Sequence, residues 1–231
     1  MKILNPGQIY LADQRYLMET TAIRQYSIFN TGSFYREHQQ PLGALQQLDD
    51  IILAGSKSTT LVADQPLYYV LLPITGKVSY QQNKSATTIT DVGQLLLCSV
   101  PANTDIVRSN PYPANWINYL QIVVQNTSTA SYPGAQTFHF DLDAEPDTLI
   151  NITGSDYPFA ISIGRFGGRR EATYFLHSRQ SRLFAFVITG AFELEGRLLH
   201  ERDSLALWDI EEAELEALSN NAVIMLLEIK A

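Results

Sequence analysis

"YVLLPITGKVSY" (residues 69–80) places an apolar run, the tripeptide Ile-Thr-Gly and a second, alternating run in succession. The stretch "FAFVITGAFEL" (184–194) repeats this order about half a chain length later. Each copy is followed by an aspartate, Asp91 or Asp203, and then by a further apolar run, "QLLLCSV" or "SLALWDI". Short apolar runs separated by glycine are typical of β-hairpins. The matched context of the two copies indicates an internal repeat of a small β-barrel.

The remainder of the sequence also consists of short runs rich in Val, Ile, Leu, Tyr and Phe, separated by turn residues. The stretch "AELEALSNNAVIMLLEI" (213–229) contains helix formers, but Asn220-Asn221 between its apolar halves favours a hairpin. The polar stretch "QNTSTASYPGAQT" (125–137) is typical of a linker. We therefore predict an all-β chain with an N-terminal domain over residues 1–126 and a C-terminal domain over residues 137–231.

Composition excludes several classes of protein. The chain has 231 residues and a net charge of −8, which argues against a nucleic-acid partner. Its one close basic cluster, Arg165 with Arg169 and Arg170, indicates a solvated loop. No apolar run is long enough to cross a bilayer and no secretory signal core is present, so we expect a cytoplasmic protein with no membrane partner. Cys98 is the only cysteine, which excludes an intrachain disulfide and a CxxC metal site.

Two further stretches identify a family resemblance. "RQYSIFNTGSFYREHQQPLGALQQLDDIILAGSKSTTL" (24–61) resembles the opening of the pirin family, which includes quercetinase-like bacterial members, and "NYLQIVV" (118–124) resembles one of its strands. The resemblance extends over nearly the whole chain. It implies a bicupin, in which two cupin (double-stranded β-helix) barrels pack together. It also implies a site for iron or another divalent metal in the N-terminal barrel.

The ligand positions of that metal site are changed in this chain. The family has a His-x-His pair before the strand that leads to Gly76, and this pair falls on Val62 and Asp64. Its later His-x-Glu pair falls on Arg108 and Asn110. Only one of these four groups is an anionic ligand, and a guanidinium repels a cation. We therefore expect a degenerate site without metal or cofactor.

Three neighbours complete the predicted pocket. Tyr68 and Tyr69 follow the first pair, and strand alternation allows only one of them to face inward. Cys98 lies in the apolar run "LLLCSV", which favours a buried thiol over a redox-sensitive one. The second barrel offers no replacement site, because Arg179 follows His177 where a second histidine would be needed.

These observations leave three functions open. The missing ligands favour a protein without catalysis whose N-terminal barrel binds a small molecule or whose surface binds a protein partner. If the protein is an enzyme, the resemblance implies a quercetin 2,3-dioxygenase-like reaction with a metal held in another way. As pirins have been described as regulatory partners of transcription proteins, the resemblance also implies that role.

Overall fold

The computed structural model describes residues 4–127, 134–154 and 156–230, and in them the chain is almost entirely β-structure. The helical segments are two short 3₁₀ turns, Ala12–Gln14 and Glu37–Gln39. None of the described helical segments has the length and hydropathy of a membrane span. The strands are β1 (Gly7–Tyr10), β2 (Tyr16–Glu19), β3 (Ile23–Ser27), β4 (Leu45–Leu53), β5 (Ser58–Ala63), β6 (Leu67–Thr75), β7 (Val78–Gln82), β8 (Thr88–Thr90), β9 (Gln94–Val100), β10 (Thr104–Ser109), β11 (Ile117–Gln125), β12 (Gln136–His139), β13 (Ile150–Asn151), β14 (Phe159–Phe166), β15 (Glu171–Phe175), β16 (Arg182–Thr189), β17 (Phe192–Leu194), β18 (Arg197–Leu199), β19 (Ser204–Trp208), β20 (Glu212–Ala217) and β21 (Ala222–Ile229).

The chain forms two compact units. One unit, here called the N-terminal barrel, is Arg15–His139. The other, the C-terminal barrel, combines Met1–Gln14 with Phe140–Ala231. The all-β prediction is confirmed, and each unit is a pair of antiparallel sheets whose inner faces are apolar, as in cupin barrels.

The N-terminal barrel consists of a seven-stranded sheet with the order β12-β9-β6-β11-β4-β3-β2 and a four-stranded sheet with the order β5-β10-β7-β8. Alternation along the strands places every second side chain inside. The buried core between the sheets includes Ile51, Leu53, Tyr69, Leu71, Val78, Tyr80, Leu96, Cys98, Ile106, Ile117 and Tyr119.

The C-terminal barrel repeats this topology. Its larger sheet has the order β1-β19-β16-β21-β14-β13, and its smaller sheet has the order β15-β20-β17-β18. Strands β14 to β21 occupy the positions that β4 to β11 occupy in the first barrel. The repeat read from the sequence is therefore present in the topology. Its core includes Phe166, Leu183, Ala185, Val187, Phe192, Leu194, Leu205, Leu207, Ala213, Leu215, Ile224 and Leu226.

The Ile-Thr-Gly tripeptides end equivalent strands in the two barrels. Gly76 separates β6 from β7 at φ +76°, and Gly190 separates β16 from β17 at φ +79°. Only glycine enters this left-handed region without strain, which explains why both copies have it. The predicted C-terminal hairpin is also found, with β20 and β21 on either side of Asn220-Asn221.

The units divide the chain differently from the predicted domains at two places. Gly7–Tyr10 pairs with β19 in the C-terminal barrel, although residues 1–126 were assigned to one domain. Gln136–His139 pairs with β9 in the N-terminal barrel and so precedes the second unit. A four-residue strand carries no sequence signal of which sheet edge it completes. Residues 128–133 of the predicted linker lie outside the described residues.

Candidate functional site

A buried arginine, Arg108, faces the interior of the N-terminal barrel. Arg108 is on β10, whose inward positions are Thr104, Ile106 and Arg108, and it is only 2% exposed. Its Nη1 donates a 2.7 Å hydrogen bond to the carbonyl oxygen of Ile106. Its guanidinium carbon lies 6.0 Å from the ring centre of Tyr69. Its Nε is buried without a hydrogen-bond partner in the described residues.

The structure does not bring the four predicted ligand positions together. Val62 is 53% exposed and Asp64 is also exposed, because Leu61 and Ala63 take the inward positions of β5. A shift of one residue along a strand turns a side chain to the other face, which is why the motif alignment misplaced this pair. Asn110 is buried but supports a loop, since its amide donates to the carbonyl oxygens of Leu53 and Asn115. Of the four, only Arg108 faces the barrel interior.

A hydrogen-bonded carboxylate lies on the opposite sheet of the same barrel. Asp49, on β4, is 1% exposed, and its Oδ2 accepts hydrogen bonds from Gln25 at 3.0 Å and from Gln121 at 3.1 Å. The hydroxyl of Tyr69 in turn donates to the Oε1 of Gln121 at 3.3 Å. This chain of polar groups links β3, β4, β11 and β6 on the inner face of the larger sheet. Buried polar groups joined in this way hold one another in a fixed arrangement.

Burial is the largest single influence on the pKa values of these groups. It raises the pKa of Asp49 from 3.8 to about 6, although the Ser27 hydroxyl, the Arg108 charge and Gln121 act against the increase. Burial also raises the pKa of Tyr69 and of Tyr119 well above their ordinary values, so both phenols stay neutral. Burial alone would lower the pKa of Arg108, but its interactions with the two tyrosines outweigh that effect and raise it. The guanidinium therefore remains a permanent buried cation.

The remaining predicted neighbours are divided between the two faces of the sheet. Tyr69 belongs to the barrel core, and Tyr68 faces the other side, as alternation requires; both side chains are fully buried. Cys98 is a buried free thiol in the same core as Tyr69, and burial raises its pKa to about 11. The Tyr80 ring stacks on the Tyr69 ring with 5.6 Å between their centres. Tyr69 thus lies beside Arg108, and Cys98 lies in the same core.

The inward side chains do not fit a divalent metal. On the adjacent strands β5 and β10 they are Thr59, Leu61, Ile106 and Arg108, with Arg108 paired directly to Thr59. Protein metal sites use three or four converging imidazole, thiolate or carboxylate ligands, and a guanidinium offers none. In the parts of the chain that the structure describes, no group of three or more His, Cys, Asp or Glu side chains is placed to hold a metal ion.

Comparison with known proteins identifies the architecture. Residues 159–229 match the family model of the quercetinase C-terminal cupin domain. YhhW from Escherichia coli superposes with a TM-score of 0.85 over 97% of each chain at 14% identity. The chain is a pirin-like bicupin by fold. A second structure, of bacterial pirin YhhW from E. coli in complex with nickel(II), matches with a TM-score of 0.81 at 15% identity, covering 97% of this chain and 99% of that one.

A quercetin 2,3-dioxygenase from Acinetobacter baumannii also shares the bicupin fold. Its structure matches with a TM-score of 0.72 at 13% identity, covering 96% of this chain and 85% of that one. A search of curated proteins finds no match. At such identities the similarity establishes the fold, and the chemistry of this pirin-like bicupin has to be argued from its own side chains.

The C-terminal barrel of this bicupin contains a second buried carboxylate. Glu228 on β21 is fully buried, and its Oε2 lies 2.8 Å from both the Tyr174 hydroxyl and the Nδ1 of His177. The backbone N–H of His177 donates to its Oε1 at 2.9 Å. Burial alone would raise the pKa of Glu228, but these hydrogen bonds and the neighbouring Ser181 hydroxyl lower it instead. Every oxygen of the carboxylate is thereby used, which indicates a structural junction between strands.

The sequence analysis missed the polar groups opposite Arg108. Asp49 was noted only as part of the stretch "GALQQLDD" (43–50) that carries the family resemblance. Its signal was present, because a carboxylate in the middle of the strand "LQQLDDIIL" interrupts a run that is otherwise buried. Gln121 and Tyr119 have the same character within the apolar strand β11. Their convergence with Arg108 depends on which strands face one another, and that is set by the tertiary fold.

Proposed function

We propose that this bicupin works without a metal and that its N-terminal barrel binds a small molecule. The observation that carries the proposal is the position of Arg108, a buried cation on a strand where the pirin resemblance implies a metal ligand. A fixed positive charge repels a divalent ion, and the neighbouring inward side chains supply a hydroxyl and two aliphatic groups. The protein would thus be a non-catalytic binding protein, and we propose that it is cytoplasmic.

The main alternative is a metal-dependent dioxygenase. It is favoured by the fold shared with the A. baumannii quercetin 2,3-dioxygenase and with YhhW, which was solved in complex with nickel(II). It requires a ligand set that would have to form despite Arg108. A role as a regulatory partner of transcription proteins would use an outer surface, and no feature of the described residues selects such a surface.

Metal retention and quercetin turnover test the proposal together. The purified chain is incubated with Fe(II), Ni(II) or Zn(II), desalted and analysed for metal by mass spectrometry, and each preparation is assayed for quercetin consumption. We expect far less than one equivalent of metal per chain and no quercetin cleavage above the protein-free control. One equivalent of metal retained by the wild-type chain, or metal-dependent quercetin cleavage, would overturn the proposal.

A gain-of-binding variant tests the assignment of inward positions. Thr59→His, Leu61→His and Arg108→His together place three imidazoles on the interior of two adjacent strands, and we expect this variant to retain about one equivalent of Zn(II) or Ni(II). The matched control combines Thr60→His, Val62→His and Arg108→His, which moves two imidazoles to the exposed face of the same strand. Equal metal retention by the two folded variants would contradict the assigned register.

A further inference from the structure

The N-terminal barrel holds a positive charge with no opposite charge in contact. No carboxylate of the described residues forms an ion pair with Arg108. Its Nη1 donates a hydrogen bond to the carbonyl oxygen of Ile106, and the hydroxyl of Tyr119 also interacts with the guanidinium. This differs from Arg15, another nearly buried arginine of the same barrel, whose Nη1 lies 3.1 Å from the Oδ2 of Asp50. A guanidinium has five N–H donors, and buried charges in proteins are normally paired. Arg108 therefore has no carboxylate partner among the described residues, and its Nε donates to no acceptor there.

We propose that the ligand of the N-terminal barrel is a small organic anion whose carboxylate pairs with the Arg108 guanidinium, and that its binding is coupled to protonation of Asp49. This proposal rests on the proposed function and specifies the class of ligand. Arginine is suited to the task because its planar fork of donors matches the two oxygens of a carboxylate. The buried Nε, which has no partner among the described residues, is one of the donors available to it.

The surroundings of Arg108 favour an anion with an apolar or aromatic body. The rings of Tyr69 and Tyr80 stack on each other, and Tyr69 also lies under the guanidinium. The phenols stay neutral, because burial raises the pKa of Tyr69 and of Tyr119. They therefore present neutral, polarisable surfaces and do not supply a competing negative charge. A carboxylate attached to a small ring or alkyl group would complement both the cation and these rings.

Asp49 is a buried carboxyl on the inner face of the sheet opposite Arg108. The titratable and charged groups that act on it are Arg108 on β10, Tyr69 on β6, Tyr119 on β11 and Asp50 on β4. Tyr80 on β7 and Cys98 on β9 belong to the same core. Of these only Arg108 carries a positive charge, and it attracts the ionised form of Asp49. A bound carboxylate competes for that attraction and repels the aspartate, so binding favours the protonated aspartic acid. Burial raises the pKa of Asp49 to about 6, which places this competition in the accessible pH range.

The sign of the coupling follows from linkage. Below pH 6 Asp49 is already protonated and the anion binds without a proton. Above pH 6 each bound anion must take up a proton, so the dissociation constant rises with pH by at most tenfold per pH unit. For benzoate or acetate, both ionised throughout this range, we expect affinity to fall about tenfold between pH 6 and pH 8.

The experiment measures binding of acetate and benzoate to the full chain by calorimetry, with acetamide and benzamide as neutral analogues. The test variant is Arg108→Met, which keeps an unbranched side chain without charge, and Arg108→Lys restores a cation. The matched control is Arg179→Met, the same substitution at an exposed arginine of the C-terminal barrel. Asp49→Asn removes the titrating group. Circular dichroism establishes that each variant is folded.

We expect acetate or benzoate to bind the wild type at least tenfold more tightly than the corresponding amide does. Its affinity for Arg179→Met should equal its affinity for the wild type. Arg108→Met should lose this preference, Arg108→Lys should keep part of it, and Asp49→Asn should bind with an affinity independent of pH. If Arg108→Met does not fold, the amide comparison and the Arg108→Lys and Asp49→Asn variants decide the question.

Two further results would overturn the anion assignment while leaving the proposed function intact. These are equal binding of amides and carboxylates by the wild type, and the absence of any carboxylate binding by the folded wild type in the metal-free state. Retention of one equivalent of metal would instead refute the proposed function. Carboxylate affinity that survives in Arg108→Met would place the anion elsewhere and refute the site.

Discussion

Replacing Asp49 by asparagine should remove a pH-dependent loss of stability from the N-terminal barrel. The Asp49 carboxyl is 1% exposed, and its pKa is raised from 3.8 to about 6 by burial. The folded protein therefore holds a proton that the unfolded chain releases between these two pH values. An acid whose pKa is higher in the folded state contributes its stability at low pH, and that contribution is lost as the pH rises through about 6.

The size of the effect follows from the shift. A pKa difference of about 2 units corresponds to about 3 kcal/mol, of which most is lost between pH 4 and pH 7.5. Asparagine keeps the shape of the side chain and an oxygen for the amides of Gln25 and Gln121, and it does not ionise. We therefore compare the free energies of unfolding of Asp49→Asn and the wild type. The variant should gain about 2 to 3 kcal/mol relative to the wild type between pH 4 and pH 7.5.

The assay has to report on one barrel. Trp116 lies in the N-terminal barrel and Trp208 in the C-terminal barrel, so urea denaturation is followed by tryptophan fluorescence in a Trp208→Phe background. The difference in free energy of unfolding between Asp49→Asn and the wild type, taken at each pH, removes the contribution of every other carboxylate. A stability difference that stays constant from pH 4 to pH 7.5 would show that Asp49 titrates with its ordinary pKa and would refute the reasoning.

Three other substitutions or treatments have expected outcomes. Glu228→Gln should destabilise the C-terminal barrel by about 2 kcal/mol, measured by urea denaturation, because an amide cannot accept all the hydrogen bonds of a buried carboxylate; an unchanged midpoint would argue against a structural junction. Cys98 should react with a thiol reagent only after unfolding, since burial raises its pKa to about 11, and rapid labelling of the native chain would contradict its burial. Gly76→Ala and Gly190→Ala should each lower the melting temperature more than Gly32→Ala. All three glycines have positive φ. A Cβ added at Gly76 would lie 2.8 Å from the Cγ2 of Ile117, and one added at Gly190 would lie 2.8 Å from the Cβ of Ala222. A Cβ added at Gly32 would have nothing within 4 Å. Equal losses in all three variants would show that these contacts relax freely.

The repeated Ile-Thr-Gly stretches show what sequence periodicity can establish. Hydrophobic alternation and a glycine that must adopt positive φ are local properties, so the strands around Gly76 and Gly190 and the hairpin at Asn220-Asn221 were all predicted correctly. The same local signals fixed the all-β class and the duplication, because each half repeats them in the same order. They did not fix the edge strands, since Gly7–Tyr10 pairs with a strand about 200 residues later in the chain.

The interior of the N-terminal barrel shows what only the tertiary structure decided. The sequence singled out Arg108 as a departure from the metal motif, and this position does face the interior. It also placed Val62 and Asp64 there, although both are exposed, because a period of two leaves the choice of face undetermined until the strand is paired. The meeting of Arg108 with Tyr69, and of Tyr69 with the network around Asp49, requires strands from both sheets to close around one core. Side chains that are far apart in sequence acquire a shared chemistry only when packing removes the water between them, and local patterns carry no information about that distance.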